Sequence, residues 1–253
     1  MILGAITALL MFPSSLSAQD QFEASAKASL VSRYMWRGCD LGGISLQPEV
    51  NLAWKGLAFN TMATTAFNKD DTNDIDVTLS YSRWGINIGV TDYWTYGIDD
   101  KNRYFYYGGG YNCPHQLEAN IGYTCKYGSI QAYTMVYGND YKIDGNRAYS
   151  TFVELSIPFR AGGLDWDVRA GITPMESAGT SYKEIVLTDE GLTKTVYRGD
   201  WLYGESFTCN MASVRATKTI SCKGFDVPVF VELHANPYLQ RANFILGISI
   251  TTK

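Results

Sequence analysis

Two histidines, five cysteines and a sparse set of charged side chains are what this 253-residue chain offers for chemistry. His115 and His234 both fall near the ends of alternating runs. There Asp92 and Ser206 are the partners that a hydrolase or acyltransferase would recruit, a carboxylate to orient the ring and a hydroxyl to attack. No nucleophile motif surrounds any serine, and a histidine at a strand rim is ordinarily a solvated loop-edge residue, so no enzymatic activity is expected. Cys39, Cys113, Cys125, Cys209 and Cys222 are odd in number and irregular in spacing. They are expected to be separate thiols with at most one loop pair, such as Cys39 with Cys113. Zinc spacing, phosphate-binding loops and EF-hand patterns are absent, and no metal or cofactor is expected.

The remaining chemistry lies in the charges, whose meaning depends on the elements that carry them. From about residue 24 to 250 the chain alternates apolar and polar residues with a period of two, as in Ile75, Val77, Leu79 and Tyr81 against Asp76, Thr78, Ser80 and Ser82. Short glycine turns at Lys55-Gly56, Trp84-Gly85, Tyr127-Gly128, Gly162-Gly163 and Lys223-Gly224 alternate with six longer segments: 37–43, 68–74, 95–114, 138–146, 174–204 and 235–242. Eleven connections join twelve strands, and a further hairpin within 174–204 would make fourteen; ten is the lower alternative. With long connections at one end and short ones at the other, the pattern predicts an all-β fold, a closed antiparallel transmembrane β-barrel with short periplasmic turns and long extracellular loops. Closure follows from the solvent, since lipid offers no partner to an unpaired strand edge. A secreted β-sandwich alternates in the same way. Low charge and aromatics near the strand ends favour the barrel.

Composition agrees. Only 18% of residues are charged, 14% are aromatic, and the net charge is -4. The longest apolar stretch, residues 2–12, is well short of the roughly 20 residues that a membrane helix needs. With an acidic balance and no basic cluster, no nucleic-acid partner is expected. Residues 1–18 read as a cleaved signal peptide: an apolar core, Pro13, then the small residues Ser15 and Ser17. Residues 19–253 would then form a single outer-membrane barrel domain of a Gram-negative bacterium. Outer-membrane lipid and the outer-membrane assembly machinery are its expected partners.

The opening run Ser29-Leu30-Val31-Ser32-Arg33-Tyr34-Met35-Trp36-Arg37-Gly38, followed by Ile44-Ser45-Leu46-Gln47-Pro48, resembles the start of the TorF-like small porins. Thr91-Asp92-Tyr93-Trp94, Val153-Glu154-Leu155 and Val231-Glu232-Leu233 with Asn236-Pro237-Tyr238 are similar to later segments of such barrels. The resemblance implies an outer-membrane barrel of undefined substrate. One departure is the C-terminus, where Thr251, Thr252 and Lys253 stand in place of the aromatic residue that often ends such chains.

If the apolar face meets lipid, the other face lines a lumen. Parity places Lys27, Arg33, Arg37 and Arg169 there, with Glu49, Asp76, Glu118, Glu154, Asp165, Asp167, Asp226 and Glu232. Two readings stay open. Acids and bases pair across a narrow lumen and fill it, leaving a non-conducting structural or adhesive barrel, or they line a water-filled, mildly cation-preferring pore for small polar solutes or ions. An aromatic girdle is expected at Trp54, Trp84 and Tyr127 beside the short turns, and at Tyr34, Trp36, Tyr93, Trp94, Tyr137, Tyr203 and Tyr238 towards the long loops. The loop 95–114, with Tyr96, Tyr104, Phe105, Tyr106, Tyr107 and Tyr111 beside Asp99, Asp100, Lys101 and Arg103, would either continue this girdle or offer stacking faces to a sugar.

Overall fold

A computed structural model describes residues 22–99, 101–108, 113–187 and 193–252, with no side-chain description for 182–198. The expected signal segment, Asp100 and Tyr111 lie outside the described residues. Sixteen strands follow one another: β1 (Glu23–Val31), β2 (Tyr34–Trp36), β3 (Cys39–Gly42), β4 (Ser45–Trp54), β5 (Leu57–Ala66), β6 (Asp74–Arg83), β7 (Ile86–Thr95), β8 (His115–Cys125), β9 (Gly128–Tyr137), β10 (Thr151–Ala161), β11 (Leu164–Thr173), β12 (Gly179–Leu187), β13 (Thr193–Trp201), β14 (Thr208–Cys222), β15 (Phe225–Asn236) and β16 (Arg241–Thr252). Twelve of them close into one antiparallel barrel, with β1 paired to both β4 and β16. The other four form two separate hairpins, β2–β3 and β12–β13. The segment 174–204 thus does contain a hairpin, but that hairpin stays out of the wall and the barrel keeps twelve strands.

The short-turn end is built from two-residue connections. Lys55-Gly56, Trp84-Gly85 and Gly162-Gly163 have both residues at positive φ, the backbone of the turn whose twist matches the flanking strands. The connection expected at Tyr127-Gly128 falls one residue earlier, at Lys126-Tyr127, because Cys125 pairs with Gly128. At the other end, the connection expected over 235–242 closes down to residues 237–240, since β15 and β16 stay paired as far as Asn236 and Arg241.

The wall is inverted relative to a water-soluble protein. Leu79 and Ile250 are 54% and 56% exposed on the outside, whereas Glu118 and Glu232 are 2% and 1% exposed inside. The period of two dictates this arrangement: Ile75, Val77 and Leu79 point outward while Asp74, Asp76, Thr78 and Ser80 point inward on the same strand. The β8–β9 register shifts at Leu117 and Glu118, and a second bulge reaches the buried cluster. Near Gly171 and Ile172 the β11–β14 register shifts, so Asn210 and Met211 are both buried before alternation resumes with Ser213 and Arg215 inward.

Candidate functional site

The site is the barrel interior, and its main departure from the sequence reading is what fills it. Ser32 and Arg33 break β1, and the chain turns in as the β2–β3 hairpin instead of continuing along the wall. Arg37 and Gly38 form its tip, at φ 50° and 83°. Gly38 is required there, because a Cβ would stand 1.9 Å from the carbonyl oxygen of Asn210 on the bulge of β14. The Gly38 carbonyl also accepts a hydrogen bond from Asn236 Nδ2 at 3.1 Å. The tip is therefore docked on β14 and β15.

From that tip Arg37 reaches Glu118 on β8 with two parallel bonds, Nη2 donating to Oε1 at 2.6 Å and Nη1 to Oε2. Nη1 also donates to the Tyr203 hydroxyl at 3.0 Å, and Tyr93 donates to Glu118 Oε1 at 3.0 Å. The guanidinium carbon lies 3.9 Å from the Tyr133 ring centroid, 4.6 Å from Trp36 and 5.4 Å from Phe152, which is cation–π range for all three. Tyr203 is positioned by the segment after β13, where the buried Ser177 hydroxyl accepts from the backbone amides of Tyr203 and Gly204. The base of the hairpin is tied by Tyr34 donating to Asp74 at 2.8 Å and by an Arg33–Asp40 ion pair.

These contacts correct part of the expected girdle. Tyr34, Trp36, Tyr93 and Tyr203 are inside the barrel, where the hairpin and its socket use them. Tyr34 and Trp36 leave the wall with the hairpin, and Tyr93 shares the inward register of Thr91. Trp94 is on the outward register but is only 8% exposed, because Tyr104 of the following loop packs on it. Tyr137 donates to the Tyr107 carbonyl, and Tyr238 is half-buried in the 237–240 turn. Trp54, Trp84 and Tyr127 do ring the short-turn end, at 49%, 69% and 72% exposure. Each is accompanied by a cation: Lys55, Arg83 and Lys126 respectively.

Of the charges placed inward by parity, Lys27, Glu49, Asp76, Glu118, Glu154, Asp165, Asp167, Arg169, Asp226 and Glu232 do sit on inward wall positions. Arg37 is instead at the tip of the inserted hairpin, and Arg33 is in the link that leads into it. Lys27 pairs with its cross-strand neighbour Glu49. Two to four strands further round the wall, Glu232 accepts from Arg215 Nε at 2.6 Å, from Arg169 Nη2 at 3.2 Å and from the His234 ring at 2.9 Å. Asp167 closes the cluster, 3.2 Å from Arg169 Nε and bonded to Ser156. Arg215 and His234 belong to this network and were not among the residues expected inside.

The two histidines occupy opposite faces of the wall. His234 is inward, whereas His115 is on the outward register beneath the 95–114 loop, with Nδ1 2.9 Å from Asp92 and Nε2 on the Tyr104 carbonyl. The ring is stacked on Tyr107 at 3.9 Å. Asp92 does orient His115, but backbone takes the ring atom that a general base would use, and Ser206 is exposed in the segment before β14. Tyr104 and Tyr107 thus serve local packing. Phe105, at 89% exposure, is the most open ring among the described residues of that loop. Nearby, Arg103 hydrogen-bonds the Asp99 carboxyl and holds it below the usual carboxylate range. None of the five cysteines is in a disulfide, and Cys39 donates to the Leu202 carbonyl at 3.3 Å.

Between the hairpin and the walls remains a cavity of about 80 Å³, bordered by Asp76, Glu154, Arg215 and His234 among others. That is room for a few water molecules. Asp76 Oδ1, the Ser80 hydroxyl, both Gln131 amide atoms, Arg215 Nη1 and His234 Nε2 are buried here or nearby without a protein hydrogen-bond partner.

No protein-family model and no curated protein matches the chain. Among solved structures it is similar to a chain from work on the in-meso crystallization of membrane proteins, at 7% identity, TM-score 0.45, and coverage of 90% of this chain and 82% of that one. It is also similar to Salmonella typhi OmpF in complex with daunomycin, at 10% identity, TM-score 0.34, and coverage of 92% and 97%.

Proposed function

We propose that the protein is an outer-membrane barrel of a Gram-negative bacterium, exported through its N-terminal segment and inserted by the barrel assembly machinery. It would pass small polar solutes or ions through a lumen that the β2–β3 hairpin closes in the conformation described. The opening-strand resemblance to TorF-like small porins fits this reading. The observation that carries it is the inverted wall, with exposed leucine and isoleucine outside and polar atoms inside for which the protein supplies no partner. A lumen built only to be packed would satisfy those atoms, because each one left bare costs roughly 1–3 kcal/mol. Water satisfies them in a hydrated passage. The second reading is a non-conducting barrel, and the doubly anchored hairpin favours it.

Planar-bilayer recordings on refolded protein separate the two. A channel gives rare openings in the wild type and a marked rise in open probability in Arg37→Ala, which loses both anchors on Glu118 and Tyr203. Silence in both proteins overturns the channel reading. Heat-modifiable gel mobility tests the membrane barrel itself.

A further inference from the structure

The place where Arg37 lands has the composition of a binding site for a guanidinium. Glu118 meets it edge-on with two parallel bonds, Tyr203 adds an acceptor, and the Tyr133 face stacks on it at 3.9 Å. Tyr93 also donates to Oε1 of the carboxylate and helps to fix it. Glu118, Tyr93, Tyr133 and Phe152 all belong to wall strands, so this socket persists when the hairpin is elsewhere. Arg37 does not exhaust it. Asp76, 8% exposed and two strands away, lies within electrostatic range of both Arg37 and Glu118, yet its Oδ1 faces the lumen without a hydrogen-bond partner. Arg37 therefore faces more carboxylate than its bond to Glu118 uses, and its Nε is itself buried without an acceptor.

We propose that this wall socket is a recognition site for guanidinium-bearing solutes, and that Arg37 is a resident stand-in which such solutes displace. A planar fork fits a bidentate carboxylate and a flat aromatic face together, whereas an ammonium of equal charge can sit over the ring but offers the carboxylate no pair of coplanar N–H bonds. The proposal rests on the channel reading only for the solute's route to the socket. Binding is read separately from conduction.

The test uses the refolded full chain in detergent micelles, with methylguanidinium chloride as probe and methylammonium chloride at equal concentration as its match. Arg37→Gly vacates the socket while keeping a residue suited to φ 50°. This variant should bind methylguanidinium saturably, seen as a change in tryptophan fluorescence, and at least tenfold more tightly than methylammonium. Adding Glu118→Gln should weaken methylguanidinium binding by a further tenfold or more. The same response to both probes, or indifference to Glu118, overturns the proposal. Should Arg37→Gly fail to refold, the wild type decides. Methylguanidinium, and not methylammonium, should then raise the alkylation rate of the hairpin thiol Cys39 several-fold, mapped by peptide mass spectrometry; an unchanged rate overturns the proposal. Guanidinium binding by a barrel that never conducts would sustain the socket and reject the channel.

Discussion

Glu232 is where loss of one side chain should cost most. Its carboxylate is 1% exposed and takes bonds from Arg215, Arg169 and His234 at once, with Arg215 and Arg169 themselves only 5% and 8% exposed. Replacing it by glutamine leaves two buried guanidinium groups facing each other, with Asp167 and the more distant Glu154 to offset them. Breaking a buried pair from one side costs about 3–5 kcal/mol. The adjoining cavity lets water approach the exposed edge, which places the expected loss near the lower end, about 3 kcal/mol. The matched control is Glu49→Gln, because the Lys27–Glu49 pair has side-chain exposures of 13% and 21% and should be worth about 1 kcal/mol or less. Urea unfolding in micelles, followed by tryptophan fluorescence, measures both. A Glu232→Gln loss below about 1 kcal/mol, or one equal to that of Glu49→Gln, refutes the picture of a buried, mutually dependent charge cluster. The double change Arg215→Met with Glu232→Leu should recover much of the loss, since it removes both charges together.

Three further expectations follow from the lumen and its loops. Gly38→Ala should undock the hairpin, because the new methyl meets the Asn210 carbonyl and the left-handed backbone costs about 1–2 kcal/mol by itself. Cys39 alkylation should then speed up by roughly tenfold, and an unchanged rate would contradict the docking geometry. In an opened barrel, Glu154→Gln should lower the cation preference read from the reversal potential under a salt gradient, since Glu154 borders the cavity; an unmoved potential would place the ion path elsewhere. Because the Asp99 carboxyl titrates below its ordinary value, its bond to Arg103 strengthens the 99–103 turn above the usual carboxylate range and is lost as pH falls through the depressed value. The Lys101 and Arg103 amides, which donate to the Asp99 carboxyl, should therefore keep their hydrogen-exchange protection relative to unstructured peptide at pH 5 and lose it only in stronger acid.

The alternation of Ile75 to Tyr81 and the paired residues at Lys55-Gly56 made the wall legible, because a period of two and a positive-φ turn are local properties of a chain. The inward charges followed from the same parity. The plug did not, since Tyr34 and Trp36 continue the alternation of β1 and nothing within that period says that the strand has ended. One signal was present: Arg37-Gly38 has the same residue-glycine form as the turns at Lys55-Gly56 and Trp84-Gly85, and it reads as a hairpin tip once treated as they are. Arg215 was hidden by the bulge at Asn210, which resets parity through a backbone event that no side-chain pattern announces. The Arg37–Glu118 contact spans 81 residues of sequence and depends on closure of the ring.

The β2–β3 hairpin is joined to β1 by only residues 32–33 and to β4 by only residues 43–44, so Arg37 is never far from Glu118 even when it lets go. Tethers that short hold a group at an effective concentration on the order of millimolar. A dissolved competitor has to reach a comparable concentration before it prevails. The length of two connecting segments would then set a threshold, below which the barrel ignores its solute and above which it responds, with no second site needed to sense the amount.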